Sequence, residues 1–300
     1  MQRIINYPIT SACSGQTIQQ FLKAKGYSSS NVVALKKIPE SILVDGTWRR
    51  VGDTLTEGQT LTIRYTETES SKTIVPVALP LSIVYEDDDI LVVNKPADMP
   101  VHPSLHNYTN TLANALMYYF SQKGECFTFR CINRIDRDTT GLVLIAKHAI
   151  SAGILSGQMQ RREIRRTYYA LVSPIPAQEK GLINAPIARQ GDSIITREVN
   201  FETGEHAVTH YEMIARSSRY PCALLSLHLD TGRTHQIRVH MQYIGCPLVG
   251  DSLYGCRDIS DATLLTRQAL HSASLSFRHP ITGQPLTFTC ALPQDMRRLL

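Results

Sequence analysis

Two short stretches hold most of the side chains that could do chemistry. Asn133-Arg134-Ile135-Asp136-Arg137-Asp138-Thr139-Thr140-Gly141 sets two carboxylates and two arginines within five consecutive positions, directly ahead of the apolar run Leu142-Val143-Leu144-Ile145-Ala146. Such a run reads as a buried strand. Charges crowded against it must be paired, hydrogen-bonded or functional, because stripping a lone carboxylate of water is costly. The second stretch, Thr231-Gly232-Arg233-Thr234-His235-Gln236-Ile237-Arg238, opens a helix whose free backbone N–H groups favour anions such as phosphate. An ionised carboxylate can serve as nucleophile or base. By charge alone Asp136 and Asp138 are indistinguishable, since each follows an arginine.

These residues must be positioned by a sheet. Strand-like runs dominate from Leu81 onward: Ile90–Val93, Leu142–Ile145, Tyr168–Val172, Ala223–Leu227 and Leu286–Thr289. Two helices are predicted among them, Thr111–Phe120 and Thr234–Ile244, the latter with an apolar stripe at Ile237, Met241 and Ile244 stopped by Gly245 and Pro247. Many strands with few helices argue for an α+β fold with a mixed or antiparallel sheet rather than a doubly wound one. Residues 1–65 read as a small module: a short helix near Thr17–Gly26, a hairpin across Asp45-Gly46, and a closing strand at Gly58–Tyr65. Residues 66–79 are polar with little periodicity and read as a linker, leaving 80–300 as the main domain.

Bulk properties narrow the function classes. With 43% hydrophobic and 19% charged residues, the 300-residue chain has an ordinary soluble composition. No apolar run approaches the roughly 20 residues that span a bilayer, so no membrane partner is expected. Seven scattered cysteines without a Cys-x-x-Cys pair predict free thiols in a reducing cytoplasm. Zinc on Cys126 and Cys131 is disfavoured because no second ligand pair has suitable spacing. No glycine-rich phosphate loop is present, which argues against nucleotide-cofactor chemistry. The net charge is +5, and residues 130–170 alone carry eight Lys/Arg against three acids. A solvated helix face is the bland explanation of such a run. Its position beside the candidate site fits a polyanionic partner such as RNA better.

"YEDDDILVVNKPADMPVHPS", "RIDRDTTGLVLIAK" and "TGRTHQIRVHMQYIGCPLVGDSLYG" resemble, in this order, the signature segments of the RluA family of RNA pseudouridine synthases. The resemblance spans about residues 80–300. It implies a pseudouridine synthase catalytic domain, cofactor-free and metal-free, acting on ribosomal RNA or tRNA, with no obligate protein partner and a monomeric enzyme. It selects Asp136 as the catalytic carboxylate and leaves Asp138 to hydrogen-bond its own loop through Thr139 or Thr140. It implies Arg233 as the cation that keeps Asp136 ionised, Arg134 at the base-flipping site, and Tyr168 stacking under the flipped uracil, with Tyr169 a core residue. Arg161, Arg162 and Arg165 are read as RNA backbone contacts, and His102, His240 and His271 as loop or core histidines. Asn133 stands where most members carry His. The module is similar to S4 RNA-binding domains, with Val44-Asp45-Gly46 and Gly58-Gln59 at their Val-Asn-Gly and Gly-Asp positions. Ser28-Ser29-Ser30-Asn31 replaces their Ser-Arg pair. Target capture by this module and a purely structural appendage are both open readings. The rival for the whole chain is a catalytically inactive homologue that binds RNA as a ribosome-assembly factor.

Overall fold

The N-terminus alternates, with Ile5 and Tyr7 buried between exposed neighbours, and this period of two builds strand β1 (Gln2–Pro8). The structure, a computed structural model, describes residues 2–105, 107–191, 193, 195–255 and 265–300. Cys256 lies outside them, and the other six cysteines are free thiols. Helix α1 (Ile18–Ala24) starts at a capping box between Thr17 and Gln20. Helix α2 (Ser29–Lys36) starts at a second box between Ser28 and Asn31. Strands β2 (Ile42–Val44) and β3 (Thr47–Trp48) meet at Asp45-Gly46, both at positive φ as a tight hairpin turn requires. With β4 (Thr60–Thr66) they form a four-stranded sheet in the order β1-β4-β2-β3.

Residues 67–82 hold no regular element, yet they are laced to the main body. Ser71 donates its N–H to Phe127 O at 3.1 Å, Val77 donates to Asn114 O at 3.1 Å, and Arg130 grips Glu67 at 2.8 and 3.1 Å.

The main body contains β5 (Ile83–Glu86), β6 (Ile90–Lys95), α3 (Leu112–Gln122), β7 (Thr140–Ala146), α4 (Ala149–Gln160), β8 (Arg165–Val172), β9 (Lys180–Asn184), β10 (Ile187–Arg189), β11 (Arg197–Val199), β12 (Val208–Arg216), β13 (Ala223–Leu229), α5 (Gln236–Tyr243), β14 (Leu270–Arg278), β15 (Pro285–Thr289) and α6 (Gln294–Arg297). Its nine-stranded sheet runs β5-β6-β7-β14-β8-β13-β12-β9, with β15 paired to β14. Among the described residues only β7 and β14 pair in parallel, so the sheet is mixed and the fold α+β, as expected. The run 142–146 is continuously apolar because both faces of β7 are covered. Val143 and Ile145 join a core with Leu116 and Phe120 of α3, while Leu142 and Leu144 join another with Leu155 of α4.

Helix α4 was not predicted, and it also meets the N-terminal module. Its Ile150 and Ile154 belong to the module's core with Phe21, Leu22 and Val32. Asn31 Nδ2 donates to Ala149 O at 3.0 Å. Arg3 of β1 forks onto Asp89 at 2.8 and 2.9 Å, and His148 Nε2 reaches the same carboxylate at 2.8 Å. The stretch matched to the Ser-Arg position of S4 domains is thus used as a helix cap and as a contact to α4.

Candidate active site

The segment before β7 alternates: Asn133 and Ile135 are buried, Arg134 is exposed, and Asp136 is half-buried. This aims Arg134 and Asp136 at one large cleft of about 1520 Å³. Asn133 pins the segment from inside. Its Nδ2 donates to Leu142 O at 3.2 Å and its Oδ1 accepts the Leu144 N–H at 2.8 Å, so one side chain completes a peptide-like pair with β7. Its acid–base chemistry is irrelevant here; it holds the loop in register.

The loop is gripped from two further sides. Lys95 Nζ donates to Arg137 O at 2.8 Å and Pro96 O at 2.7 Å, and burial pushes its ammonium down to about 7 against the pull of Asp138 and Asp136. Arg267 donates to Asp138 O at 3.3 Å. Asp138 accepts the Asp98 N–H at 3.2 Å rather than binding Thr139 or Thr140. Its expected partner is therefore corrected: the neighbouring 95–99 loop lies closer than its own. Asp138 is absent from the cleft lining, whereas Asp136 is part of it.

The cation on Asp136 is Arg238, not the expected Arg233. Arg238 NH1 stands 3.3 Å from Asp136 Oδ2, while its Nε and NH2 fork onto Asp251 at 2.7 and 2.8 Å. Arg233 lies in the turn before α5, where its side chain pairs with Glu205 and donates to His206 O at 3.1 Å, on the rim of the same cleft. The physical reason is register. Ile237 faces the core, so the adjacent Arg238 is carried inward by the helix to 4% exposure, while Arg233 precedes the helix. A buried guanidinium needs carboxylates, and the spacing of Arg238 from Asp251 within the matched segment was the signal available.

Around this pair lie Tyr254 and His235, neither of which has an assigned role in the resemblance. The Tyr254 ring sits 5.0 Å from the Arg238 guanidinium, and its hydroxyl meets His235 Nδ1 at 2.9 Å and accepts the Arg197 N–H at 2.8 Å. His235 takes a left-handed conformation (φ 58) at the start of α5 and lines the cleft. Burial lowers its pKa, with Asp136 pulling the other way.

Tyr168 forms part of the lining from β8, in register with Leu227 of β13 and Ser272 of β14. Burial raises its pKa, Arg166 opposes this, and Asp136 adds to it, so the two expected site residues share one electrostatic environment. Arg134 is exposed in the cleft and makes no ion pair among the described residues. The three expected backbone arginines divide: Arg162 and Arg165 line the cleft, while Arg161 folds onto Glu163 at 2.7 Å. Tyr169 packs against a separate C-terminal cluster.

The histidines set aside are held structurally. His240 is bonded to Thr209 Oγ1 and Ala185 O, both at 2.8 Å. His271 meets Thr140 Oγ1 at 2.8 Å and Cys290 Sγ at 3.1 Å. His102 stacks edge-on to Phe129 at 4.9 Å at the cleft wall. No described helix is long and apolar enough to cross a membrane.

A carboxylate fixed by a buried arginine, a tyrosine face and a basic rim suit a reaction at one sugar–base unit of a nucleic acid. Comparison with known proteins gives the family. A family model described as RNA pseudouridylate synthase matches residues 89–243. The chain is 37% identical over 284 residues to YjbO of Bacillus subtilis, named as an uncharacterized RNA pseudouridine synthase, across 95% of this chain and 98% of that protein. It is 43% identical over 237 residues to the ribosomal large subunit pseudouridine synthase D of Zymomonas mobilis, across 75% of this chain and 73% of that one. The solved structure of human RNA pseudouridylate synthase domain containing 1 matches with a TM-score of 0.59 at 26% identity, across 72% of this chain and 84% of that one.

Proposed function

We propose that this chain, which belongs to the RNA pseudouridine synthase family and so to the isomerases, converts specific uridines of large-subunit ribosomal RNA to pseudouridine in the cytoplasm, using Asp136. The observation that carries the reading is the Asp136–Arg238 contact of 3.3 Å in the cleft that Tyr168 and Arg134 also line. The lean to ribosomal RNA is supported by relatives named for the large ribosomal subunit.

The reaction detaches uracil from ribose C1′, turns the base and rejoins it through C5. The C5 proton is lost and N1 gains one, so no electrons are exchanged and no water is added. Neither a metal nor an organic cofactor is required. Asp136 has three routes: attack at C1′, addition to the base, or abstraction of a ribose proton. Arg134 enters the space vacated when the uridine flips out, and Tyr168 stacks beneath the uracil. Arg162 and Arg165 bind phosphates. The inactive-homologue reading drew its support from Asn133. With that side chain spent on holding β7, the reading has nothing specific behind it.

Asp136→Asn keeps shape and removes charge. It is expected to abolish pseudouridine formation while RNA binding stays nearly intact, measured by pseudouridine mapping and filter retention. Turnover by the purified Asp136→Asn protein would overturn the assignment. Mapping pseudouridines in RNA from cells with and without the protein identifies the target.

A further inference from the structure

The reaction proposed above ends on a proton transfer that has no residue assigned to it. When uracil rejoins ribose through C5, that carbon still carries its hydrogen, and a base close to Asp136 has to take it. Tyr168 is poorly suited, because burial raises its pKa and keeps the hydroxyl protonated. An imidazole is ordinarily about 2.5 pK units more basic than an aspartate carboxylate, and His235 lines the cleft together with Asp136. The helix does not need this ring. His235 holds the N-cap position of α5, yet its side chain caps nothing; Gln236 Oε1 instead accepts the Arg233 N–H at 3.0 Å. The backbone of His235 is kept at φ 58 and ψ 18, a conformation that side chains avoid and that functional sites retain. Nδ1 stands 2.9 Å from the Tyr254 hydroxyl. That oxygen accepts the Arg197 N–H at 2.8 Å and keeps a second lone pair for an Nδ1–H donor. With the proton on Nδ1, Nε2 carries the free lone pair. Among the described residues Nε2 has no hydrogen-bond partner, and no side-chain nitrogen is buried without one, so Nε2 is open to the cleft.

We propose that His235 is the base that takes the C5 proton, and that Tyr254 is the positioning residue that sets its tautomer. The C5–H bond breaks, and its electron pair forms the C5=C6 double bond. The C6=N1 pair moves onto N1, which takes a proton from water, while Nε2 receives the C5 proton and returns it to water. No oxidant or co-reactant is consumed. The charged groups facing the ring are Asp136 in the loop before β7, Arg238 on α5, Asp251 in the turn after it and Arg197 on β11. Burial and the two arginines keep the imidazole neutral before the step, and the two carboxylates favour the imidazolium that the step creates. This rests on the pseudouridine synthase reading above and deepens it by dividing the chemistry between Asp136 and a second residue.

The full-length protein is given large-subunit ribosomal RNA transcribed with uridine that carries protium, deuterium or tritium at C5. Tritium release reports loss of the C5 hydrogen, and pseudouridine mapping reports product. His235→Gln is expected to lower kcat roughly 10²–10⁴-fold, with filter retention of RNA and the thermal midpoint nearly unchanged. Its deuterium isotope effect on kcat should exceed that of the native protein, because proton loss has become the slow step. Added imidazole should restore part of the rate in His235→Gly, a change that also suits the left-handed backbone. Tyr254→Phe, which frees the ring to take either tautomer, should lose less rate and show the same enlarged isotope effect; native behaviour would remove its positioning role. Turnover by His235→Gln at the native rate overturns the assignment. So does a slow variant with the native isotope effect and no rescue by imidazole, since the loss then lies in an earlier step or in the fold. A native protein that releases no tritium and forms no pseudouridine on any RNA removes the catalytic reading itself, so the two failures are distinct.

Discussion

Asn133 shows how one side chain can do the work of a backbone segment, bonding both the C=O of Leu142 and the N–H of Leu144. Asn133→Ala leaves both groups buried and unpaired, at about 1–3 kcal/mol, and should lower the denaturation midpoint together with activity. Asn133→His, which keeps one donor and one acceptor, should recover most of both. Asp251 acts through Arg238. Asp251→Asn removes the charge that aims the guanidinium, so kcat should fall roughly 10²-fold with KM for RNA little changed; an equal loss in KM would make Asp251 a binding residue. Asp136 was legible because its motif is local and dense. Arg238 was not, because which of two arginines in one segment turns inward depends on the phase of α5 against the sheet, which Ile237 and Met241 set in three dimensions. His235 and Tyr254 were obscured for the same reason: they meet only once α5 and the 251–255 turn are folded.

At the scale of elements, the strands on two-sided cores were readable from their apolar runs, as was α5 from its stripe. Helix α4 was hidden by Gly153 and Gly157 in Ala-Ile-Ser-Ala-Gly-Ile-Leu-Ser-Gly-Gln-Met-Gln, which break any amphipathic pattern. The feature that hid it is what it needs: a Cβ at Gly153 would stand 2.2 Å from Asn31 Oδ1. Gly153→Ala should therefore destabilise the protein by roughly 1–3 kcal/mol despite the better helix former, visible as a lower thermal midpoint. On β14, burial lowers His271 to about 4. A histidine that is neutral in the native state and protonated when unfolded makes stability fall as pH drops from 6.5 toward that value. About 3 kcal/mol should be lost between pH 7 and pH 4. In His271→Asn that part of the acid slope should vanish in urea titrations at each pH.

For the whole molecule, the stretch 67–82 holds no regular element, yet what lies on its two sides is packed together. A tethered capture device could be removed without effect on maximal rate. Here Ile150 and Ile154 complete the module's core and Arg3 satisfies the buried Asp89. Deleting residues 1–70 uncovers both isoleucines, each worth roughly 1.5–3 kcal/mol of burial, and leaves a carboxylate short of its cation. The truncated protein should melt earlier and bind more of an environment-sensitive dye; one that matches full length would return the module to the status of an appendage. Contacts over such separations were invisible in composition. The parallel pairing of β7 with β14 carries the same logic into protein synthesis. Residues 140–141 pair with residues 271–272, and among the described residues β14 alone joins β5-β6-β7 to β8-β13-β12-β9. Until the ribosome has released that late strand, the nascent chain holds two part-sheets with open edges, and the Asp136 loop lacks the grip of Arg267. Chains that stop short of β14 are therefore expected to form no pseudouridine, which an assay of chains truncated before residue 270 on RNA would check.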